Sequence, residues 1–210
     1  MKREEKNALS RQRILDAAME EFSRNGYDGA SLNTVCAEKG ISKGIIYHYF
    51  KDKDELYLLC VGHCFDAFTA YLQNAAGSLA GSAQARLQGY FDARLRFFAE
   101  HPLYLALFAD AAFRPPAALR EEIAQRRQAF DALNISVLTD LLKSEPLRKG
   151  LTVSTVVEDF RLYMDYFNLH FKADLCGERS MSDLLQEHEE RCHRQLDILL
   201  YGVFGEKHAE

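Results

Sequence analysis

The amino-acid sequence predicts an all-α protein of about nine helices, with a small N-terminal domain followed by a larger helical domain. Apolar residues recur three and four positions apart along most of the chain, which is the helical period, and no segment alternates as a half-buried strand does. Only 4 prolines occur in 210 residues, so long uninterrupted helices are allowed. Short breaks rich in glycine, serine or proline separate the periodic segments. We expect the two domains to cover residues 1–55 and 56–210.

The composition excludes several classes of protein. Hydrophobic residues make up 48% of the chain and charged residues 27%, which is typical of a globular protein. No apolar run approaches the roughly 20 residues of a membrane span, and the first ten residues, MKREEKNALS, lack the apolar segment of a signal peptide. We therefore expect a cytoplasmic protein with no membrane partner, whose 5 cysteines are reduced.

The distribution of charge matters more than its sum. The net charge of −5 argues at first against a nucleic-acid partner. Residues 1–60, however, contain ten basic and ten acidic side chains, so the acidic excess lies entirely beyond residue 60. A small neutral domain can still direct its few lysines toward phosphate while its carboxylates face away.

The first long helix follows a charged tail of mixed sign, residues 1–9, which we expect to fray. Ser10 is the predicted N-cap, because its hydroxyl can accept a hydrogen bond from a free amide of the first turn. Asn25-Gly26 is the predicted end of the helix. Apolar residues at helical spacing give it one buried face: Ile14, Ala17, Ala18 and Phe22.

Two short helices come next, joined by a tight turn. Ser31 is the predicted cap of the first helix. Gly40 is expected just past its end, since glycine reaches the left-handed conformation without a Cβ clash. Ser42 is the predicted cap of the second helix, which has only about two turns. This spacing is that of a helix-turn-helix motif, whose second helix enters the major groove of DNA.

The same stretch resembles a known family. The run GISKGIIYHYFKDKDELY, with the upstream run FSRNGYDGASLNTVC, is similar to the DNA-binding domain of the Tet repressor (TetR) family of bacterial regulators. The resemblance covers roughly residues 14–57. It implies a homodimeric transcriptional regulator whose partners are double-stranded operator DNA and a small-molecule effector. We expect a repressor that the effector releases from a palindromic operator.

The predicted recognition helix covers residues 42–50, and the N-terminal residues of such a helix reach base edges. Ile45 departs from the small or hydroxyl residue expected in the family; it can meet a thymine methyl group or pack into the core. Tyr49 and Phe50 are expected to pack, whereas Lys53 is expected against the DNA backbone, as in the family. The candidate DNA-binding residues are Ser31, Ser42, Lys43, Gly44, Ile45, Tyr47, His48 and Lys53.

The rest of the chain is divided by a series of breaks. The fourth helix is predicted to open at Lys51-Asp52 and to run to about Ala76. Later breaks are the loop 77–81 before a Ser82 cap, Pro102 at a helix start, Pro115-Pro116, and the segment 144–150 before a cap at Thr152 or Ser154. The last two helices are expected to separate at Cys176-Gly177, with Ser180 as the final cap.

The larger domain contains the candidate effector site. Arg94 falls on the apolar face of its helix, where an unpaired charge would be costly. It needs a carboxylate partner, for which Asp159 and Asp165 are available, or an anionic ligand, and we favour the internal ion pair. Asn134 can orient a ligand or bond to a helix backbone. The aromatic candidates, which can line an apolar cavity or form plain core, are Phe68, Tyr104, Phe130, Tyr163 and Phe167.

The last two helices have wide apolar faces, which favour a helix-pair interface. In the resembled family, these helices pair with their symmetry mates in a four-helix dimer contact. The candidate interface residues are Phe160, Leu184, His188, Cys192, Leu196 and Leu199.

Three other functions remain as alternatives. A protein of the same fold can answer to a protein partner or act in chromosome organisation. A metal or thiol-redox sensor would use Cys60, His63 and Cys64, or His188 and Cys192, although neither set completes a zinc site by itself. We expect no metal and no cofactor. An enzyme has little support, because the sequence contains no glycine-rich phosphate loop and no nucleophile elbow.

Overall fold

The structure, a computed structural model, describes residues 3–173 and 181–203. Within these residues the protein is all-α, with nine α-helices, a short 3-10 helix and no strand, which confirms the predicted fold class. The helices are α1 Arg3–Gly29, α2 Leu32–Lys39, α3 Lys43–Tyr49, α4 Lys53–Ser78, α5 Ala83–Glu100, α6 Pro102–Phe113, the 3-10 helix Ala117–Leu119, α7 Arg120–Lys143, α8 Val153–Ala173 and α9 Met181–Val203.

The start of α1 differs from the prediction. The helix already includes residue 3, so Ser10 lies inside it and is not its cap. Residues 3–9 are mostly Arg, Glu, Lys, Ala and Leu, which are strong helix formers, so the helix extends through the expected tail. The predicted end is visible as a break at Gly26, whose φ of 65° and ψ of 179° interrupt the helical geometry before Gly29. Glycine alone adopts such a positive φ without a Cβ clash.

The caps of α2 and α3 are confirmed. The Ser31 hydroxyl accepts a hydrogen bond from the Asn33 amide at 3.2 Å, and Gly40 closes α2 in the left-handed conformation with φ of 62°. The Ser42 hydroxyl accepts from the Ile45 amide at 3.4 Å at the start of α3. These local hydrogen bonds satisfy amides that a helix start leaves without partners, so the sequence itself fixes the turn between the two helices.

The start of α4 is also where the sequence predicts it. The Asp52 carboxylate accepts from the Glu55 amide at 2.9 Å, and the Glu55 carboxylate accepts from the Lys51 amide at 2.6 Å. This reciprocal arrangement is a close variant of the capping box, in which two amides are satisfied at once. The helix ends at Ser78, near the predicted end at Ala76.

The later breaks agree with the sequence where the structure describes them. The Ser82 hydroxyl accepts from the Ala85 amide at 3.2 Å before α5, and Pro102 is the first residue of α6. The Thr152 hydroxyl accepts from the Thr155 amide at 3.2 Å, which identifies Thr152 as the cap of α8. The predicted break at Cys176-Gly177 and the Ser180 cap lie outside the described residues. Among the helices of the described ranges, none has the length and apolarity needed to cross a membrane.

The chain divides into two compact units by the contacts among its residues. Unit 1 comprises Met1–Ala67 and His101–Gln128, and unit 2 comprises Phe68–Glu100 and Ala129–Glu210. The predicted inner face of α1 is buried in unit 1, as expected from its spacing. The core of unit 2 comes from α5, α7, α8 and α9, and includes Leu87, Phe91, Leu138, Leu142, Val156, Phe160, Leu196 and Leu200. The functional division after residue 55 remains a prediction.

Candidate nucleic-acid interface

The recognition helix α3 is held in unit 1 by its own apolar side chains. Ile46 is buried within α3, and Phe50, which follows the helix, is buried as well. The guanidinium of Arg11, on α1, lies 5.3 Å from the centre of the Phe50 ring. The inner side of this seven-residue helix is therefore fixed, and its other side is free to carry a binding surface.

The outer side of α3 exposes most of the candidate DNA-binding residues. Ile45 is 46% exposed and Tyr47 is 51% exposed, so neither side chain packs in the interior of unit 1. The core alternative for Ile45 is therefore wrong. Gly44 is exposed, and a Cβ there would meet nothing within 4 Å, so packing inside the chain does not require glycine. The other exposed candidates on this surface are Ser42, Lys43 and His48.

Lys53 already has partners within the chain. Its ammonium lies 4.6 Å from the centre of the Tyr27 ring, and it donates to the Asp28 carbonyl oxygen at 3.5 Å. The Tyr27 hydroxyl donates to the carboxylate of Asp54, and that hydrogen bond, with burial, raises the pKa of Tyr27 to about 12. Lys53 is thus held in place in the first turn of α4, where helix amides can also attract a phosphate.

Two residues of α1 border this surface and were missed by the sequence reasoning. The Tyr49 hydroxyl donates to the side-chain oxygen of Asn7 at 3.1 Å, so the first turns of α1 pack against the end of α3. Arg11, which contacts Phe50, is exposed and lies four residues after Asn7, on the same side of α1. The spacing of Asn7 and Arg11, four residues apart, indicates that they share one side of a helix. Because residues 1–9 were expected to fray, Asn7 was not placed on a helix.

Ser31 differs from the exposed candidates. It is half-buried, and its amide donates to the Glu21 carboxylate at 2.9 Å. Glu21 is itself buried, so this bond connects the start of α2 to the interior of α1. Ser31 therefore stabilises the base of the motif, in addition to any contact with a phosphate.

The effector candidates in unit 2 surround an ion pair. Arg94 is buried and donates to both carboxylate oxygens of Glu189, with 2.8 Å between Nη2 and Oε1. The predicted internal ion pair is confirmed, but its carboxylate was wrongly assigned to Asp159 or Asp165. Glu189 reaches Arg94 because it lies on the inner side of α9 and is itself almost completely buried.

Asn134 completes what we call the Arg94 cluster, which consists of Arg94, Glu189, Asn134 and Tyr90. The Asn134 side-chain oxygen accepts from Arg94 Nη1 at 3.0 Å and from the Tyr90 hydroxyl at 2.9 Å. Its amide nitrogen donates to the Phe130 carbonyl oxygen at 2.8 Å, so the backbone-bonding alternative for Asn134 is confirmed. Throughout the described part of the chain, every buried side-chain nitrogen or oxygen has a hydrogen-bond partner.

Aromatic rings enclose the guanidinium of the Arg94 cluster. Arg94 Cζ lies 5.2 Å from the Phe130 ring centre, 5.5 Å from that of Phe91 and 5.6 Å from that of Phe68. The structure thus brings together Phe68, Arg94, Phe130 and Asn134. Of the other effector candidates, Tyr104 belongs to unit 1, while Tyr163 and Phe167 stack on each other along α8 with ring centres 6.1 Å apart.

The electrostatics of the cluster favour the charged pair. Burial by itself would raise the pKa of Glu189, but the adjacent Arg94 guanidinium and a contact with His188 lower it to about 2. Burial likewise opposes the charge on Arg94, and the Glu189 carboxylate raises its pKa above the usual value. Both groups are therefore ionised and mutually satisfied over the whole ordinary pH range.

The predicted dimer residues lie mainly inside the chain. Five of them are largely buried in unit 2: Phe160, Leu184, His188, Cys192 and Leu196. Leu199 is half-buried and lines a groove of about 310 Å³ between α8 and α9, together with the edges of Phe160 and Leu196. The exposed apolar surface of this helix pair consists instead of Leu162, Tyr166, Ile198 and Tyr201, each 58–65% exposed. On α8 and α9, the apolar residues that were predicted to form the dimer contact therefore mostly face the core, and a second set of large side chains on the same helices faces outward.

The thiols provide little support for a sensor. His63 is exposed whereas Cys60 and Cys64 are buried, so the three do not share a face. Burial raises the pKa of Cys60 to about 12, and it also raises the pKa of Cys64 and of Cys192. Such thiols are poor nucleophiles. In the described ranges, no group of three or more His, Cys, Asp or Glu side chains is arranged to hold a metal ion.

Comparison with known proteins gives consistent relatives. Residues 14–60 match the family model for bacterial regulatory proteins of the tetR family. The chain is 27% identical over 165 residues to the biofilm operon icaADBC HTH-type negative transcriptional regulator IcaR of Staphylococcus epidermidis, covering 76% of this chain and 83% of IcaR. It is 28% identical over 125 residues to the HTH-type transcriptional regulator BetI of Escherichia coli, covering 57% of this chain and 64%, a little under two thirds, of BetI. These relatives are transcriptional regulators, not enzymes.

A solved structure shares the fold. The transcriptional regulator FadR from Bacillus subtilis, crystallised in complex with stearoyl-CoA, has a TM-score of 0.63 and 17% identity, covering 91% of this chain and 98% of that one. At this identity the likeness concerns the fold alone. The capped helix pair α2 and α3 falls within the matched residues 14–60, so this chain contains a helix-turn-helix domain of the tetR family type, and along its length it is similar to bacterial transcriptional regulators.

Proposed function

We propose that the protein is a dimeric transcriptional repressor that binds a palindromic operator and is released from it by a small-molecule effector. The observation that carries this proposal is the exposed outer side of α3, where Ile45 and Tyr47 are half exposed on a helix that is capped and anchored from below. Exposed apolar side chains bordered by polar residues, here Ser42, Lys43 and His48, are typical of an interaction site.

The side chains of this surface suit different parts of a DNA duplex. Ile45 can contact a thymine methyl group, and Lys43 can reach a guanine edge or a phosphate. Tyr47 and His48 carry polar tips that can donate to phosphate oxygens or base edges. Arg11 and Lys53 flank α3 and would position this helix through contacts with the phosphate backbone of the DNA. Residues 1–55 would thus form the DNA-binding domain, and the remaining residues the sensing and dimerisation domain.

Dimerisation would follow from the outer surface of α8 and α9. Leu162, Tyr166, Ile198 and Tyr201 are large apolar side chains exposed on two adjacent helices. Pairing this surface with its symmetry mate would bury it in a four-helix contact, with the same patch on both chains. Two recognition helices would then read half-sites about one helical turn, or a multiple of it, apart.

The sign of regulation and the effector are supported by the relatives. IcaR is named a negative regulator, and FadR has been crystallised with stearoyl-CoA. An effector that fits only one arrangement of the sensor helices would shift the separation of the two recognition helices. By linkage, operator DNA would weaken effector binding by the same factor. The Arg94 cluster is internally satisfied, so an anionic effector would have to replace Glu189 there.

Selection of bound duplexes from a random library tests the proposal with the full-length chain. The expected result is enrichment of a palindrome, bound by an even number of chains, with affinity that falls as salt rises because phosphate contacts release counterions. Failure to enrich any sequence at low salt would contradict operator binding. Enrichment of a non-palindromic site bound by one chain would contradict the dimeric arrangement.

A further inference from the structure

We propose that Asp110, on α6, is a positioning residue for DNA binding: its carboxylate joins the end of α1 to the start of α4 and thereby holds Lys53 at the DNA surface. The inference rests on the proposed DNA-binding function, which it deepens. All the residues involved lie in unit 1.

One carboxylate oxygen makes the connection. Asp110 Oδ2 accepts a hydrogen bond from the Tyr27 amide at 3.1 Å and another from the Tyr57 hydroxyl at 2.9 Å. Tyr27 lies in the last turn of α1, beyond the Gly26 break, and Tyr57 lies in the first turns of α4. Hydrogen bonds to an ionised acceptor are stronger than those between neutral groups, so a single side chain of α6 fixes two separate segments.

Tyr57 has no exposed alternative to this bond. Its side chain is completely buried, with its ring edge-on to the Phe22 ring at 5.1 Å and to the Tyr27 ring at 5.0 Å. Burial, together with the Asp110 charge, raises the pKa of Tyr57, so the hydroxyl is always available as a donor. Without Asp110 this buried hydroxyl would lose its partner, and the segment would have to rearrange to satisfy it.

The break at Gly26 is shaped for the same contact. Its φ of 65° turns the chain so that the Tyr27 amide points at Asp110. A Cβ at residue 26 would lie 3.4 Å from Asp110 Oδ1, at the edge of ordinary van der Waals contact. Glycine is therefore needed here for its positive φ, and the carboxylate occupies the space next to it.

The connection continues from Tyr27 to the DNA surface. The ring of Tyr27 supports the Lys53 ammonium at 4.6 Å, and its hydroxyl donates to Asp54, the residue after Lys53. Asp54 and Tyr57 are three residues apart on α4, so the hydrogen bond from Tyr27 to Asp54 and the one from Tyr57 to Asp110 lie on the same side of that helix. Asp110 thus fixes Tyr27, and Tyr27 fixes the first turn of α4, which carries Lys53.

A second bond between α1 and α6 provides a matched control. The Ser23 hydroxyl donates to the Leu103 carbonyl oxygen at 2.8 Å and involves neither Tyr27 nor Tyr57. If any weakening of the contact between α1 and α6 impaired DNA binding, Ser23→Ala would act like Asp110→Ala. If Asp110 acts through Tyr27 and Lys53, only the Asp110 variant affects binding.

The experiment measures affinity for the duplex enriched by the wild-type protein, at a temperature where circular dichroism shows each variant to be folded. Asp110→Ala is expected to weaken binding about tenfold and to reduce the salt slope toward that of Lys53→Ala. When Lys53 has already been replaced by Ala, adding Asp110→Ala should weaken binding less than threefold, because the lysine that Asp110 positions is no longer present. Asp110→Asn, which keeps an acceptor oxygen, should recover part of the affinity, and Ser23→Ala should stay within twofold of wild type.

If Asp110→Ala does not fold, Tyr57→Phe removes only the hydroxyl donor and is expected to weaken binding in the same direction. Folded variants of Asp110 and Tyr57 that bind within twofold of wild type would overturn the inference while leaving DNA binding intact. The inference would also be overturned if Ser23→Ala weakened DNA binding as much as Asp110→Ala does. It would be overturned as well if the double variant Asp110→Ala/Lys53→Ala lost as much affinity as the product of the two single losses. A wild-type protein that enriches no duplex would remove the proposed function and this inference together.

Discussion

The recognition helix α3 and the Arg94 cluster treat their chemically active side chains in opposite ways. On α3, Tyr47 and Ile45 are half exposed, and their surroundings inside the chain leave them available to a partner. In the Arg94 cluster, Arg94 and Glu189 are buried, and each of their buried nitrogen and oxygen atoms has a hydrogen-bond partner within unit 2. Both sets were candidates for binding, yet only the first is organised as a surface.

The difference separates two kinds of energetic consequence. Removing a side chain from an exposed surface leaves the folded state almost unchanged, because nothing buried loses a partner. Removing one member of a buried ion pair leaves its partner charged and without compensation, which is strongly destabilising. The two regions should therefore respond to substitution in different assays, with stability changing for the Arg94 cluster and operator affinity changing for α3.

The largest effect is expected from breaking the buried pair. Glu189→Ala or Arg94→Met should lower the free energy of unfolding by about 3–5 kcal/mol, measured by urea denaturation. The double variant Arg94→Met/Glu189→Leu removes both charges and should recover most of that loss. A single variant as stable as the wild type would show that the Arg94 cluster does not stabilise the fold, and its residues would again be candidates for effector binding.

The same pair predicts a pH dependence. Because the pKa of Glu189 falls from 4.5 to about 2 on folding, its contribution to stability is fully present above pH 4.5 and is lost as the pH decreases toward 2. The wild-type protein should therefore lose more stability over this interval than the double variant does. Parallel pH profiles for the two proteins would contradict the assignment.

The contrast also shows what the sequence could predict. Caps depend on neighbours a few residues away, so Ser31, Gly40, Ser42 and the Lys51-Asp52 helix start were all readable from local chemistry. The family resemblance rested on that same local pattern. The start of α1 was the exception, since Ser10 resembles a cap but the preceding residues favour a helix more strongly.

Long-range choices could not be read in this way. Arg94 needed a carboxylate, and its partner Glu189 lies 95 residues away on a helix whose rotation the sequence leaves open. Periodicity showed that α9 has a wide apolar face, but not which part of it turns inward. The sequence therefore predicted Cys192 and Leu196 as dimer-interface residues, although both are buried. It did not predict Ile198 and Tyr201, which are exposed on the same helix.

The second effect concerns α3. Tyr47→Ala should weaken operator binding by about 1–3 kcal/mol if the side chain contacts a base as well as the backbone, and should change the free energy of unfolding by less than about 0.5 kcal/mol. Tyr47→Phe keeps the ring, so comparing the two variants divides the effect between ring and hydroxyl. A loss of stability comparable to the loss of affinity would remove the distinction between α3 and the buried cluster.

The smallest effect tests Lys53, which combines features of both regions. Like the buried cluster, it has partners in the chain, since its ammonium lies over Tyr27 and donates to the Asp28 carbonyl. Neither partner is a carboxylate, so its positive charge remains available to a phosphate. Lys53→Ala should weaken binding on all sequences alike and reduce the slope of affinity against salt by about 1, as expected for one lost phosphate contact. Lys149→Ala, which removes an exposed lysine of unit 2, should leave the slope unchanged. A slope that is unaltered in the Lys53 variant would mean that the internal partners hold the ammonium away from DNA, and that Arg11 and Lys43 provide the phosphate contacts of this surface.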